Sequence, residues 1–305
     1  MSDETRSRPV ALVDAFTEEP LAGNAAGVVP DADDLTEEQM GAIAAELSVS
    51  ETAFLTTSDD ADRGVRYFTP TQEVELCGHA TIGAHAYLAA AGELPVGRHS
   101  LETNVGVLEV EHREDGSIWM TQDEPTVRRT DVDHGRLADA LGVPEAALSE
   151  VAEDLPVAVA STGLPWLMVP ATFLSALGNA EPDAAAIEAI TDEVDAVGIY
   201  LFTFDALDAA STLHARAFAP GAGVPEDPVT GTASGAVGAY LDRMAAFNGD
   251  APDVLRLEQG HFVDRPGLVS VTVDGDTVRI GGHGTLALEG TLRVPPAEDD
   301  GILEA

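Results

Sequence analysis

Lysine is absent from this chain of 305 residues; all 15 basic residues are arginine, against 54 acidic ones, for a formal charge of −39. A field of that sign repels phosphates and anionic lipid surfaces, so nucleic acid and membrane are not expected partners. The acids are spread along the whole chain rather than gathered in a tail. That distribution fits a carboxylate surface adapted to high salt, where self-repulsion is screened, and suggests a halophilic source. Cysteine is nearly absent too. Cys77 alone excludes an internal disulfide, a Cys-rich zinc site and any mechanism needing two opposed thiols from one chain. No apolar run reaches the roughly 18 residues of a membrane span. Met1 to Pro9 is polar and charged, unlike a secretory leader. The expectation is a soluble, cytoplasmic protein. No dinucleotide fingerprint, P-loop or metal-ligand cluster stands out, and the eight His residues are mostly isolated.

What is present is a succession of short elements bounded by Gly, Pro and acidic turns. Strands are expected at Pro9 to Phe16, Ala25 to Val29, Thr52 to Thr56 and Val65 to Phe68. A helix opens near Asp34 and runs to Leu47, and a small-residue helix covers Ala80 to Ala91. Val105 to His112 and Ser117 to Thr121 suggest a hairpin. The second half reads alike: strands at Val157 to Ser161, Val197 to Phe204 and Thr212 to Phe218, and a small-residue helix at Thr232 to Leu241. A hairpin turns at Asp274-Gly275-Asp276 and a last strand covers Thr285 to Val294.

An internal repeat underlies this likeness. Arg66-Tyr67-Phe68-Thr69-Pro70 and Arg216-Ala217-Phe218-Ala219-Pro220 both read Arg-x-Phe-x-Pro. Each precedes a polar loop, a glycine (Gly78, Gly231) and a helix ending in Ala-Tyr-Leu, with matching offsets. The fold class expected is α+β, with two pseudosymmetric halves whose strands wrap a central helix. The first half spans 1–125, completed by the last strand at about 284–295; the second spans 126–283.

Gly78 and Gly231 sit at loop-to-helix boundaries, where unpaired N–H groups suit a carboxylate or a developing oxyanion. If the halves face each other, both helix starts point into one interdomain cleft. His79 follows the first glycine and Thr232 the second; Asp227 precedes Pro228. Asp227 and Thr232 also suit ordinary capping roles, and capping is the simpler account of Thr232. Glu51 lies between a helix end and the apolar stretch Ala53-Phe54-Leu55. The corresponding stretch of the second half, Val197 to Leu201, carries no acid. A role needing one base would explain that asymmetry, while a plain surface acid remains the alternative.

Val13 to Thr17 with Gly23-Asn24, Glu51 to Phe54, Arg66 to Thr81, Asp227 to Ala233, Gln259-Gly260 and Gly281-Gly282 together resemble the PhzF family, in that family's order. The resemblance implies the diaminopimelate epimerase-like fold and cofactor-independent isomerase chemistry, as in phenazine biosynthesis, by a homodimer. It places the catalytic carboxylate on Glu51, with His79 and Asp227 as polar partners. The hydroxyl commonly supplied by Ser in the family is here Thr232. Related racemases and epimerases of this fold use two thiols, which this chain lacks. A single carboxylate suits moving a proton between carbons of a small carboxylate substrate. Cys77 is read as a buried neighbour of the site rather than a nucleophile. The alternative is a PhzF-like binding or regulatory protein that kept the site without catalysis.

Overall fold

The computed structural model describes residues 6–151 and 155–296. Residues 1–5, part of the segment read for a leader, lie outside them. The chain divides into two compact units. The first comprises residues 6–15, Ala25–Ile118 and 284–296; the second comprises Phe16–Asn24 and Trp119–His283. Phe16–Asn24 thus groups with the second unit, although the repeat placed it with the first half. The backbone explains why: Phe16 N donates to His283 O at 2.7 Å, Leu268 N donates to Phe16 O at 2.8 Å, and Gly23 N donates to Pro266 O at 2.9 Å.

The first unit runs β1 (Arg6–Ala15), β2 (Asn24–Val29), α1 (Glu37–Leu47), β3 (Glu51–Thr56), β4 (Arg63–Phe68), β5 (Glu73–Val74), α2 (Gly78–Ala90), β6 (Gly97–Thr103) and β7 (Gly106–His112). Helix α1 starts at Glu37 rather than Asp34 because Thr36 caps it. The Thr36 hydroxyl accepts from Gln39 N and the Gln39 side chain accepts from Thr36 N, a closed capping box. Its apolar face, Met40, Ile43 and Ala44, packs on Val29, Phe54 and Phe68 of the strands. Strand β6 was not foreseen. Its sequence Gly-Arg-His-Ser-Leu-Glu-Thr buries few apolar groups, and pairing rather than pattern defines it. Between the two strands expected as a hairpin the chain turns, with Arg113 N donating to Ser117 O at 2.9 Å, while β7 pairs in full register with β6.

The chain continues through β8 (Ile118–Thr121), β9 (Thr126–Arg129), α3 (His134–Leu141), α4 (Ala146–Ser149), β10 (Ala158–Ser161), β11 (Pro165–Pro170), α5 (Leu174–Gly178) and α6 (Ala184–Glu193). Then follow β12 (Gly198–Thr203), β13 (Leu213–Ala219), β14 (Val224–Asp227), α7 (Gly231–Arg243), β15 (Leu255–Gln259), β16 (Gly267–Asp274), β17 (Thr277–Gly282) and β18 (Gly284–Val294). β18 returns to pair antiparallel with β1 and completes the first unit.

The repeat is a repeat of topology. In the first unit β2 is parallel to β3, β3 antiparallel to β4, and β4 antiparallel to β5 and parallel to β6. In the second, β11 is parallel to β12, β12 antiparallel to β13, and β13 antiparallel to β14 and parallel to β15. Each Arg-x-Phe-x-Pro strand is clamped to the next in the same way. The Arg66 guanidinium donates through two nitrogens to Glu73, both at 2.7 Å, and Arg216 does so to Glu226 at 2.9 and 2.7 Å. Helix α2 lies buried against β1, β3 and β18, and α7 against β9, β10, β11, β16 and β17. On the other face of the second unit's sheet, α3 and α6 cover β10 to β13 with an apolar layer that includes Leu141, Ile187, Leu201 and Phe218. Strands covered on both faces have no polar alternation, and every residue of β12 and β13 is buried.

Candidate active site

In the first unit, α1 ends on Ser48 in a left-handed conformation (φ 54°), and the chain turns at once into β3, whose first residue is Glu51. Helix α2 starts at Gly78, so His79 projects from its first turn. These two starts meet. His79 Nε2 is 3.3 Å from Glu51 Oε2 and 3.2 Å from Ser50 Oγ, and His79 Nδ1 is 3.4 Å from Cys77 Sγ. With its proton on Nε2, the ring donates to the carboxylate or the hydroxyl, and Nδ1 accepts from the thiol. The Glu51 side chain is 23% exposed and that of His79 is 11% exposed, so the group is shielded yet reachable. Cys77 is buried and carries the N-cap position of α2, which has no side-chain cap hydrogen bond. The ligand atoms of Glu51, Cys77 and His79 all lie within 4.8 Å of one another, a set able to hold a metal ion. Chain spacing conceals the set because Glu51 comes from a strand start and the other two from a distant helix start.

In the second unit, Asp227 ends β14 and Gly231 begins α7. The Asp227 carboxylate accepts from Asn24 Nδ2 at 2.8 Å and from the Thr230 hydroxyl at 2.6 Å. Asn24 also donates to Val229 O. Gln259 Nε2 donates to Asp227 O at 2.7 Å and to Thr230 Oγ1 at 3.0 Å, while its Oε1 accepts from Thr230 N at 3.1 Å. Three motifs far apart in sequence, Gly23-Asn24, Asp227 to Thr230 and Gln259-Gly260, thus build one knot before α7. Gly260 closes it with φ +85°, where an added Cβ would sit 2.1 Å from Arg265 O and 2.7 Å from Pro228 O. Thr230 spends its hydroxyl on Asp227, so α7, like α2, has no side-chain cap. Thr232 is not a cap either. It lies inside the first turn, its Oγ1 accepting from Trp166 Nε1 at 3.2 Å and its carbonyl from the Thr162 hydroxyl at 3.2 Å.

Strand register aligns the halves residue by residue. Phe54 lies opposite Arg66 and Leu201 opposite Arg216, so Glu51 corresponds to Gly198. Ala26, opposite Glu51, corresponds to Trp166, opposite Gly198. A Cβ on Gly198 would come within 2.4 Å of Phe218 O and 2.6 Å of the Trp166 ring. The second half therefore fills with an indole the space that the first leaves for a carboxylate. Cys77 and His79 correspond in the same alignment to Thr230 and Thr232.

A family model described as phenazine biosynthesis-like protein, PhzC-PhzF, matches residues 13–290. The chain belongs to the PhzF family. An uncharacterized isomerase of Bacillus subtilis, YfhB, is 38% identical over 287 residues, covering 92% of this chain and 94% of that one. The crystal structure of a Bacillus anthracis PhzF-family phenazine biosynthesis protein is similar with a TM-score of 0.87 at 33% identity, covering 94% of this chain and 99% of that one. A hydroxyproline epimerase of Agrobacterium vitis, at 13% identity, shares the fold with a TM-score of 0.61, over 98% and 94% of the two chains. This PhzF chain is accordingly an enzyme of an isomerase family with the α+β, diaminopimelate epimerase-like fold.

Of the residues singled out in the sequence, Glu51, Gly78 and His79 come together in the first unit, and Asp227, Gly231 and Thr232 in the second. Gly231 is demanded by packing as well, since a Cβ there would lie 2.8 Å from the Ile280 side chain. Sequence reasoning missed Ser50, the indole of Trp166 and the anchoring of Asp227 by Asn24, Thr230 and Gln259. Asn24 and Gln259 did carry a signal, since both stand in the segments that resemble the family.

Proposed function

We propose that this protein is a cofactor-independent isomerase of small carboxylate substrates in which Glu51 alone takes a proton from one carbon and returns it to another. The observation that carries this reading is the Glu51–His79 contact at 3.3 Å, at a place where the second half has Gly198. One base on one face suits transfer between two carbons of a conjugated or activated substrate. The carboxylate removes the proton, the electron pair passes into the conjugated system, and the same carboxylate returns the proton at the far end. His79 holds the carboxylate and orients it. The uncapped first turns at Gly78 and at Gly231 offer N–H groups to substrate carboxylate or developing oxyanion. Asp227, fixed by Asn24 and Thr230, accepts from a substrate donor, and the Thr232 hydroxyl takes part in binding. The single cysteine of the chain supports this over a two-thiol racemase mechanism. A homodimer is the accompanying expectation from the family resemblance, and a cytoplasmic location the expectation from composition.

The test is solvent deuterium incorporation into a panel of small unsaturated and hydroxylated carboxylates, followed by NMR in concentrated salt. Glu51→Gln keeps shape and hydrogen bonding but cannot take a proton. It should lower exchange by about 10²–10⁴-fold with an unchanged circular dichroism spectrum. Exchange at the wild-type rate in that variant would remove Glu51 from the mechanism. Binding of a carboxylate by the wild-type chain with no exchange into any member of the panel would favour a non-catalytic binding protein.

A further inference from the structure

We propose that Glu51, Cys77 and His79 form a binding site for one thiophilic divalent cation of the zinc class. Among the described residues this is the one group of three or more such side chains whose ligand atoms converge. A tetrahedral zinc ion with bonds of about 2.0–2.3 Å sets its donor atoms about 3.3–3.8 Å apart. Glu51 Oε2 and His79 Nε2 are 3.3 Å apart, and Cys77 Sγ and His79 Nε2 are 4.0 Å apart. All three ligand atoms lie within 4.8 Å of one another, so the set closes round an ion by side-chain rotation. Thiolate, imidazole and carboxylate together select a borderline-soft ion over magnesium or calcium, which prefer all-oxygen sites. Three protein ligands leave the fourth position to water or to an anionic ligand.

The proton balance is simple. Binding displaces the Cys77 thiol proton to solvent, and no electron is transferred. His79 ligates through Nε2 and keeps its ring proton on Nδ1. Partial exposure of Glu51 and His79 gives the ion its path of entry. The ion occupies the oxygen proposed above as the acid/base, so loading should also inhibit turnover. That consequence rests on the proposed function; the binding does not.

The experiment is a cobalt titration of the chelator-treated full chain in concentrated salt, with excess magnesium to occupy surface carboxylates. One equivalent of Co²⁺ should produce the near-ultraviolet thiolate-to-cobalt band and the visible bands of four-coordination, and one equivalent of Zn²⁺ should abolish them. Cys77→Ser should lose the thiolate band, and Cys77→Ser, His79→Gln and Glu51→Gln should each weaken zinc binding by about tenfold or more. No thiolate band in the wild-type chain, or an unchanged zinc affinity in the folded variants, would overturn the site. A cobalt band together with undiminished deuterium exchange in loaded enzyme would remove Glu51 as acid/base and leave the site standing. An absent band with an inactive Glu51→Gln would do the reverse.

Discussion

A carboxylate that shuttles a proton needs a partner to hold it and an open side from which to work, and Glu51 has both. Its sequence context scarcely separates it from the other acids, and nothing in composition marks it. The resemblance to PhzF proteins singled it out, and the register now explains why one half alone has it: Gly198 is hemmed in by Phe218 O and the Trp166 ring. Gly198→Ala should therefore destabilise the fold by about 1–3 kcal/mol, read as a lower midpoint in urea unfolding, since the indole must move. His85 and His214 contribute to the response to acid. Burial holds His85 and His214 well below the usual imidazole value, each at about 4 against 6.5, with His261 adding repulsion at His214. The folded form refuses protons that the unfolded chain accepts near pH 6.5. The stability these groups provide is complete above that pH and is lost as pH falls from 6.5 towards 4. The slope approaches two protons, about 2.7 kcal/mol per pH unit. His85→Leu should flatten the measured dependence of unfolding free energy between pH 6.5 and 5 by about one proton. An unaltered slope would exclude His85 as a contributor.

At the scale of the element, most strands and both central helices were legible because their patterns are strong. Small residues mark α2 and α7, and the Arg-x-Phe-x-Pro strands mark β4 and β13. Strand β6 was not legible because one fully buried apolar residue, Leu101, gives it no pattern; its neighbours dictate it. The Tyr pair was hidden in another way. Tyr67 lies opposite Ala53 and Tyr200 opposite Ala217, so the repeat keeps the cross-strand pair but exchanges its members. Both hydroxyls reach the matching helix position, Thr81 or Ser234. The knot before α7 was legible only in fragments, because Asn24, Asp227 and Gln259 lie far apart in the chain. Its members are mutually satisfied, so removal of one leaves buried partners unpaired. Gln259→Ala should cost about 1–3 kcal/mol. Asn24→Ala should cost a similar amount, and the double variant less than the sum, since both act on the same Asp227–Thr230 turn. Additive costs in chemical denaturation would show two separate contacts instead.

For the whole molecule, charge outweighs the pairwise contacts. Arginine ion pairs such as Arg98–Glu109 and Arg243–Asp276 are exposed, and such pairs contribute about 0–1 kcal/mol each. They cannot offset the mutual repulsion behind a formal charge of −39. Repulsion over the folded surface exceeds that in an expanded chain, because folding brings the acids closer, so screening should stabilise the native state. The Debye length falls from about 10 Å at 0.1 M to about 3 Å at 1 M salt. The melting temperature should accordingly climb steeply over that range in potassium chloride, and similarly in sodium chloride. Sulfate needs a separate account, since it also strengthens apolar burial by exclusion from the surface and keeps doing so at higher concentration. The two causes can be parted by curvature: screening saturates near 1 M, whereas exclusion continues to rise. Differential scanning calorimetry across a chloride series should show the early rise and then a shallower slope. Sucrose at matched water activity should not reproduce the early rise, because it excludes without screening. A melting temperature flat between 0.1 and 1 M chloride would mean that the carboxylates are placed far enough apart to be harmless, and the high-salt reading of the composition would fall.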